Sequence, residues 1–242
     1  MKEQTKTREA QRLDVLVTED NEKHLAGARS VSERYTNMDF SFARTLQEAE
    51  SLVERNRYDA VITDVFFPVQ EGGEPTAGSG LSLARKVDEQ GIPFVYNTSG
   101  NHHGRAYKQF LEPARSVSEE ISGIWDNDRF GTGKIIEAYP EDANGEKDTK
   151  QWGAAINYVI LLCRSKYLGD DSRKAVGELV KFSSYGGYDY GRLSRVFELI
   201  LDKSVSQEKL ERELRISGGL NRDALHFVRD TLAEYIKSGG EK

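Results

Sequence analysis

One cysteine in 242 residues, Cys163, leaves the chain without any internal disulfide. Its setting, "YVILLCRS", is that of a small buried hydrophobe rather than a reactive thiol. Long hydrophobic runs are missing as well: the longest apolar stretch, "AAINYVILLC", is too short and too interrupted to cross a membrane. No apolar segment follows the polar N-terminus "MKEQTKTREAQR", so no signal peptide is expected and the chain reads as a soluble cytoplasmic protein. Positive charge is not in excess. A net charge of −6 argues against a general nucleic-acid binder, and the negative charge is concentrated in residues 1–165, with 20 Lys/Arg against 27 Asp/Glu. There is no internal repeat, and no hairpin signal separates the apolar strands.

What is present is an alternation. "LDVLVTED" (13–20), "DFSFARTL" (39–46), "YDAVITDV" (58–65), "IPFVYNTSG" (92–100) and "GKIIEAYP" (133–140) read as strands. Between and after them, residues 21–35, 46–58, 81–90, 105–121 and 149–168 carry helical spacing, and a glycine-rich loop, "PVQEGGEPTAGSG" (68–80), interrupts the third crossover. Strands that alternate with helices predict a parallel sheet covered on both faces, with every strand's C-terminal end on one edge. Such folds bind ligands along that edge. Beyond residue 169 only helical patterns remain. The chain is therefore expected to divide into an α/β domain, 1–165, and a helical output or interaction domain, 166–242.

The strand ends carry the chemistry. The first strand closes on Glu19-Asp20, the third on Asp64, and the fourth on Thr98-Ser99. On one sheet edge these converge, and neighbouring carboxylates repel unless a cation neutralises them. Mg²⁺ is the hard, oxygen-seeking ion that a few carboxylates and water suit. Beside such an ion Asp64 is shielded enough to attack a phosphoryl group, and Thr98 can hydrogen-bond the acquired phosphoryl oxygen.

In "VLVTEDN", "YDAVITDVFFP", "SGLSLARKV" and "IPFVYNTSG" the chain resembles the receiver domains of two-component response regulators. The resemblance covers residues 12–165 in pattern and is most specific over 12–100. It implies a five-stranded, doubly wound, flavodoxin-like α/β fold with an all-helical C-terminal part. Glu19 and Asp20 would hold Mg²⁺, with Asp64 as phosphoacceptor, Phe66 giving its backbone carbonyl to the metal, and Thr98 as the switch hydroxyl. The implied partners are a sensor kinase or other phosphodonor protein, together with a protein bound through the C-terminal helices, and a homodimer is compatible with it.

Two features depart from that pattern. The loop after Asp64 is long, so that Gly80 takes the place of a glycine expected a few residues past Pro68. Receivers also end their fifth strand in a lysine, whereas here Tyr139 precedes Pro140; Lys147 or Lys150 would have to reach in from the loop and the next helix. His102 and His103 follow Thr98 on the same edge, where an imidazole can meet a phosphate, a metal or a partner, although the loop can equally turn outward. His24 and His226 fall in helical patterns and read as structural.

Two other readings stay open. One is a small Mg²⁺-dependent phosphotransfer or hydrolytic enzyme using the same carboxylates with His102 or His103 as acid/base. Position 66 is Phe where a haloacid-dehalogenase-like phosphatase would carry a second aspartate. The other is a pseudo-receiver scaffold with no chemistry. "GTGK" (131–134) lacks the spacing of a phosphate loop. The C-terminal helices imitate a helix-turn-helix, but Asp223 and Asp230 sit in the would-be reading helix, so DNA binding is not expected.

Overall fold

Five runs of β-branched and aromatic residues form one parallel sheet in the computed structural model, which describes residues 12–99, 130–137, 150–180, 192–216 and 218–237. The chain runs β1 (Leu13–Thr18), α1 (Glu22–Ser32), β2 (Met38–Ala43), α2 (Leu46–Arg55) and β3 (Ala60–Thr63). Two short strands follow, β4 (Phe67–Pro68) and β5 (Pro75–Thr76), then α3 (Ala77–Glu89), β6 (Phe94–Thr98) and β7 (Lys134–Glu137). Among the described residues five more helices follow: α4 (Trp152–Ser165), α5 (Asp170–Leu179), α6 (Arg192–Leu201), α7 (Gln207–Leu214) and α8 (Arg222–Tyr235).

The main sheet has the order β2-β1-β3-β6-β7 with every pairing parallel. β3 and β6 are buried at every position, as strands covered on both faces must be. This is the doubly wound flavodoxin-like arrangement. Its strand order reverses between β1 and β3, and the crevice outside their C-terminal ends is where such sheets bind ligands. Helix starts are fixed locally. Asn21 caps α1 through the N–H groups of Lys23 and His24, and Thr45 caps α2 at Glu48, whose carboxylate reaches back to the Arg44 N–H.

One expectation fails in the 68–80 segment. Instead of a loop leading to a helix at residue 81, β4 and β5 pair antiparallel and close the segment on itself. Thr76 then caps a helix that starts at Ala77. Glycine signalled a loop, yet Gly78 and Gly80 lie inside that helix, and at Gly80 it passes close to the chain just beyond β3.

The two faces of the sheet have separate cores. Leu16, Val61, Phe94 and Tyr96 pack with α2 and α3. On the other face Val15, Val17, Ile62, Val95 and Ile136 join α4 and the C-terminal helices in one continuous cluster that includes Val196, Ile200, Val228, Leu232 and Tyr235. α4 is buried on nearly all sides, the condition of a helix held between two layers. Residue 165, where a domain boundary is expected, ends α4 inside this shared core. The far end of α8 is bonded back to the turn after α1. Tyr35 and Ile236 form an antiparallel bridge, the Thr36 N–H donates to Tyr235 O at 2.7 Å, and the Lys237 N–H donates to Arg34 O at 2.7 Å. Among the described residues no helix is long and apolar enough to cross a membrane.

Candidate functional site

The ends of β1 and β3 are tied together before any charged group is placed. The Asp64 N–H donates to Thr18 Oγ1 at 3.2 Å, the Thr18 and Thr63 hydroxyls meet at 2.8 Å, and Thr63 Oγ1 donates to Asp64 O at 2.8 Å. This closed ring of buried hydroxyls fixes the peptide on either side of Asp64. α3 approaches from the opposite direction. A Cβ built on Gly80 would lie 2.6 Å from Val65 O and 2.9 Å from Asp64 O, so only glycine lets the helix pass. Gly80→Ala is therefore expected to cost about 1–3 kcal/mol through overpacking, read as a lowered thermal midpoint, and to weaken any ligand held at Asp64. An unchanged midpoint would show that the helix yields freely.

On this frame Glu19, Asp20 and Asp64 converge, each offering an oxygen so that all lie within 4.8 Å of one another. Glu19 is wholly buried, Asp64 is 6% exposed and Asp20 is half-buried. Asp64 Oδ1 accepts from the Val65 N–H at 2.6 Å, and Glu19 Oε1 accepts from the Asn21 N–H at 3.1 Å. The remaining oxygens face one buried ammonium: Lys150 Nζ donates to Glu19 Oε2 at 2.5 Å and to Asp64 Oδ2 at 2.7 Å.

One ammonium between two buried carboxylates leaves the cluster net negative. Burial pushes the Asp64 carboxyl above the usual range; Glu19 adds to this, and Lys150 only partly opposes it. Burial also works against the Glu19 charge, but His24 and Lys150 outweigh it and hold Glu19 low. Asp20 is raised by burial and by the Glu19 charge. Lys150 would be pulled down by its own burial, yet the charges of Asp64 and Glu19 hold it up. Hard oxygen donors gathered beside a buried cation are a donor set that suits Mg²⁺.

Of the residues expected from sequence, the structure thus brings together Glu19, Asp20 and Asp64. Thr98 is buried at the end of β6, the strand beside β3, and Phe66 is half-buried two residues past Asp64. His102, His103, Tyr139 and Lys147 lie outside the described residues. Lys150, one of the two lysines expected from the sequence, reaches both carboxylates. His24 does more than fill a helix position: its Nδ1 lies 3.7 Å from Glu19 Oε1. Its signal was its place in the first turn after the acidic pair, which points it back at the strand end. Gln151, next to Lys150, accepts from the Ser194 N–H at 3.1 Å and the Ser194 hydroxyl at 3.0 Å, so the site and α6 are linked through adjacent residues.

No protein-family model and no curated protein matches this sequence. Among solved structures the chain is similar to the receiver domain of the Francisella response regulator 1452, at 17% identity, covering 64% of this chain and 99% of that one with a TM-score of 0.39. It is also similar to the signal receiver domain of a signal transduction histidine kinase from Syntrophus aciditrophicus, at 19% identity, covering 65% and 96% with a TM-score of 0.39. A third is the signal receiver domain of an HD domain-containing protein from Pseudomonas fluorescens Pf-5, at 15% identity, covering 52% and 82% with a TM-score of 0.37. The fold itself is established by the strand order and crossovers described above.

Proposed function

We propose that this receiver-like chain is a cytoplasmic signalling protein that accepts a phosphoryl group on Asp64 with Mg²⁺, from a sensor kinase or another phosphodonor protein. The observation that carries the reading is the buried Lys150 ammonium shared by Glu19 and Asp64 at the topological switch point. A cation so placed answers the missing strand-end lysine, and it reaches the site from the residues just before α4. Glu19, Asp20, Asp64 and the Phe66 carbonyl are the proposed metal ligands. An Mg²⁺ ion held by these residues would supply charge neutralisation for a phosphoryl group in transfer.

Asp64 Oδ2, the oxygen turned toward Lys150, is the proposed nucleophile. Its lone pair forms the new O–P bond while the bond from phosphorus to the donor's leaving atom breaks, and that electron pair departs with the donor. The product is an acyl phosphate. Lys150 supplies a fixed positive charge beside the added oxygens, and Thr98 supplies a hydroxyl hydrogen bond. Burial suits this role, because charge–charge interactions are strong where water is excluded.

Intact-mass measurement after incubation with Mg²⁺ and a small acyl phosphate tests the proposal. Wild type is expected to gain one phosphoryl group and Asp64→Asn none; equal labelling of the two removes Asp64 from the role. Asn resembles the protonated side chain, and the folded-state pKa of Asp64 is raised. Wild type therefore loses stability as pH rises from the unfolded aspartate value, about 3.9, through the folded value. Asp64→Asn should accordingly melt above wild type at neutral pH, with the advantage vanishing as pH falls through that window.

A further inference from the structure

One side chain beside the site has no partner among the described residues. Asn97 is 0% exposed on β6, and among the described residues neither its amide nitrogen nor its amide oxygen has a hydrogen bond. A buried primary amide with both groups unsatisfied is costly to a fold, which marks it as awaiting a partner. The register gives its position. Thr18 pairs with Thr63, and Thr63 with Tyr96. The next residues on the three strands, Glu19, Asp64 and Asn97, therefore continue as one row. Strand alternation puts Asn97 on the face of Val95, and Asp64 on the face of Ile62; both of these lie in the core that packs against α4. Adjacent strands are about 4.8 Å apart, so Asn97 flanks Asp64 on the side away from Glu19.

Lys150 sits on the Glu19 side of this row. A divalent cation among Glu19, Asp20 and Asp64 would meet the ammonium at close range, and like charges repel. A buried ammonium that leaves Glu19 needs another acceptor. Resting on the metal reading above, we propose that Asn97 is that acceptor. The Lys150 ammonium stays on Asp64, leaves Glu19, and swings across to the Asn97 amide oxygen, clearing the β1 side for the cation. Asn97 is thus a positioning residue that acts on the cation site through Lys150.

The ammonium also lies 5.7 Å from the centroid of the Trp152 ring, so Trp152 emission reports its departure. The test is a Mg²⁺ titration of the full chain in a Trp125→Phe background, which leaves Trp152 as the only tryptophan. Asn97→Val should raise the thermal midpoint of the Mg²⁺-free protein, because the unsatisfied amide is gone, and should weaken Mg²⁺ binding by roughly tenfold or more. In a Lys150→Met background the same Asn97→Val change should leave Mg²⁺ affinity within about twofold, because no ammonium has to be moved. If Lys150→Met does not fold, the parent and Asn97→Val proteins alone decide: the Trp152 change at saturating Mg²⁺ should be lost in Asn97→Val. Equal affinity and equal Trp152 response in those two proteins overturn the inference while leaving the cation site intact. A parent protein that binds no Mg²⁺ by calorimetry overturns the metal reading, and the inference with it.

Discussion

Replacing Lys150 with methionine is expected to lower the stability of the Mg²⁺-free protein at neutral pH by about 3–5 kcal/mol, because it leaves two buried carboxylates facing each other without a counter-charge. For a chain of this size that corresponds to a fall in thermal midpoint on the order of 10 °C. The deficit should depend on pH with a definite sign. Without the ammonium, the Asp64 carboxyl is still more easily protonated in the folded than in the unfolded state, while His24 continues to favour the Glu19 charge. Stability is then retained below the unfolded aspartate value, about 4, and lost as pH rises through the raised folded value of Asp64. The difference between mutant and wild type should thus be greatest near pH 7 and shrink toward pH 4.

Mg²⁺ should reverse the defect. A cation that binds only the folded state stabilises it in proportion to the logarithm of concentration over Kd. The mutant has no ammonium to displace, so its midpoint should climb with Mg²⁺ more steeply than wild type. Thermal melts across a Mg²⁺ series at two pH values provide the check. A Lys150→Met protein with wild-type stability and no Mg²⁺ response would dissolve the cluster as a functional unit. The contrast with Asp64→Asn is informative: removing one of two carboxylates relieves the site, while removing their shared cation strains it.

The strand-end acids were legible because each terminates an apolar run, and a parallel sheet has only one edge at which such termini can meet. Asp64 after "AVIT" and Glu19 after "LDVLVT" needed nothing more. Lys150 was legible only as one of two candidates. It stands 86 residues from Asp64 beyond a polar loop, and that it turns inward depends on how α4 docks. His24 reads as a helix-face residue from its spacing; that the first turn of α1 also faces Glu19 is a tertiary fact. Glycine spacing misled in the segment after Asp64, since Gly80 is needed for close packing rather than for a turn. Asn97 is one polar residue within a strand, and sequence does not separate a solvated amide from a buried, unsatisfied one.

Deleting residues 166–242 is expected to yield a chain that does not fold, although a receiver-like unit of residues 1–165 is what the sequence pattern marks out. The reason is the second face of α4. Twelve of its fourteen residues are buried, among them Ile156, Val159, Ile160 and Cys163. The sheet covers one side of the helix, α1 and Tyr35 pack against its first turns, and the cluster containing Phe197, Ile200, Val228 and Leu232 covers a further face. Exposing a large apolar side chain costs about 1.5–3 kcal/mol, so a handful of them equals the whole stability of an ordinary domain, about 5–15 kcal/mol. The deletion would also strip the turn at Arg34–Asn37 of its backbone partners on Tyr235 and Lys237 and of the Asn37 amide bond to Glu234 O. Circular dichroism and soluble yield of the fragment are the direct readout. In the full chain, Leu232→Ala should lower the midpoint of a single cooperative transition by an amount equivalent to about 2–5 kcal/mol, rather than melting the helices separately. A soluble 1–165 fragment with a native melt, or two separate transitions in the full chain, would instead make the helical part a detachable module. One transition means that whatever moves Lys150 and Gln151 acts within the same cooperative unit as α6 and α8.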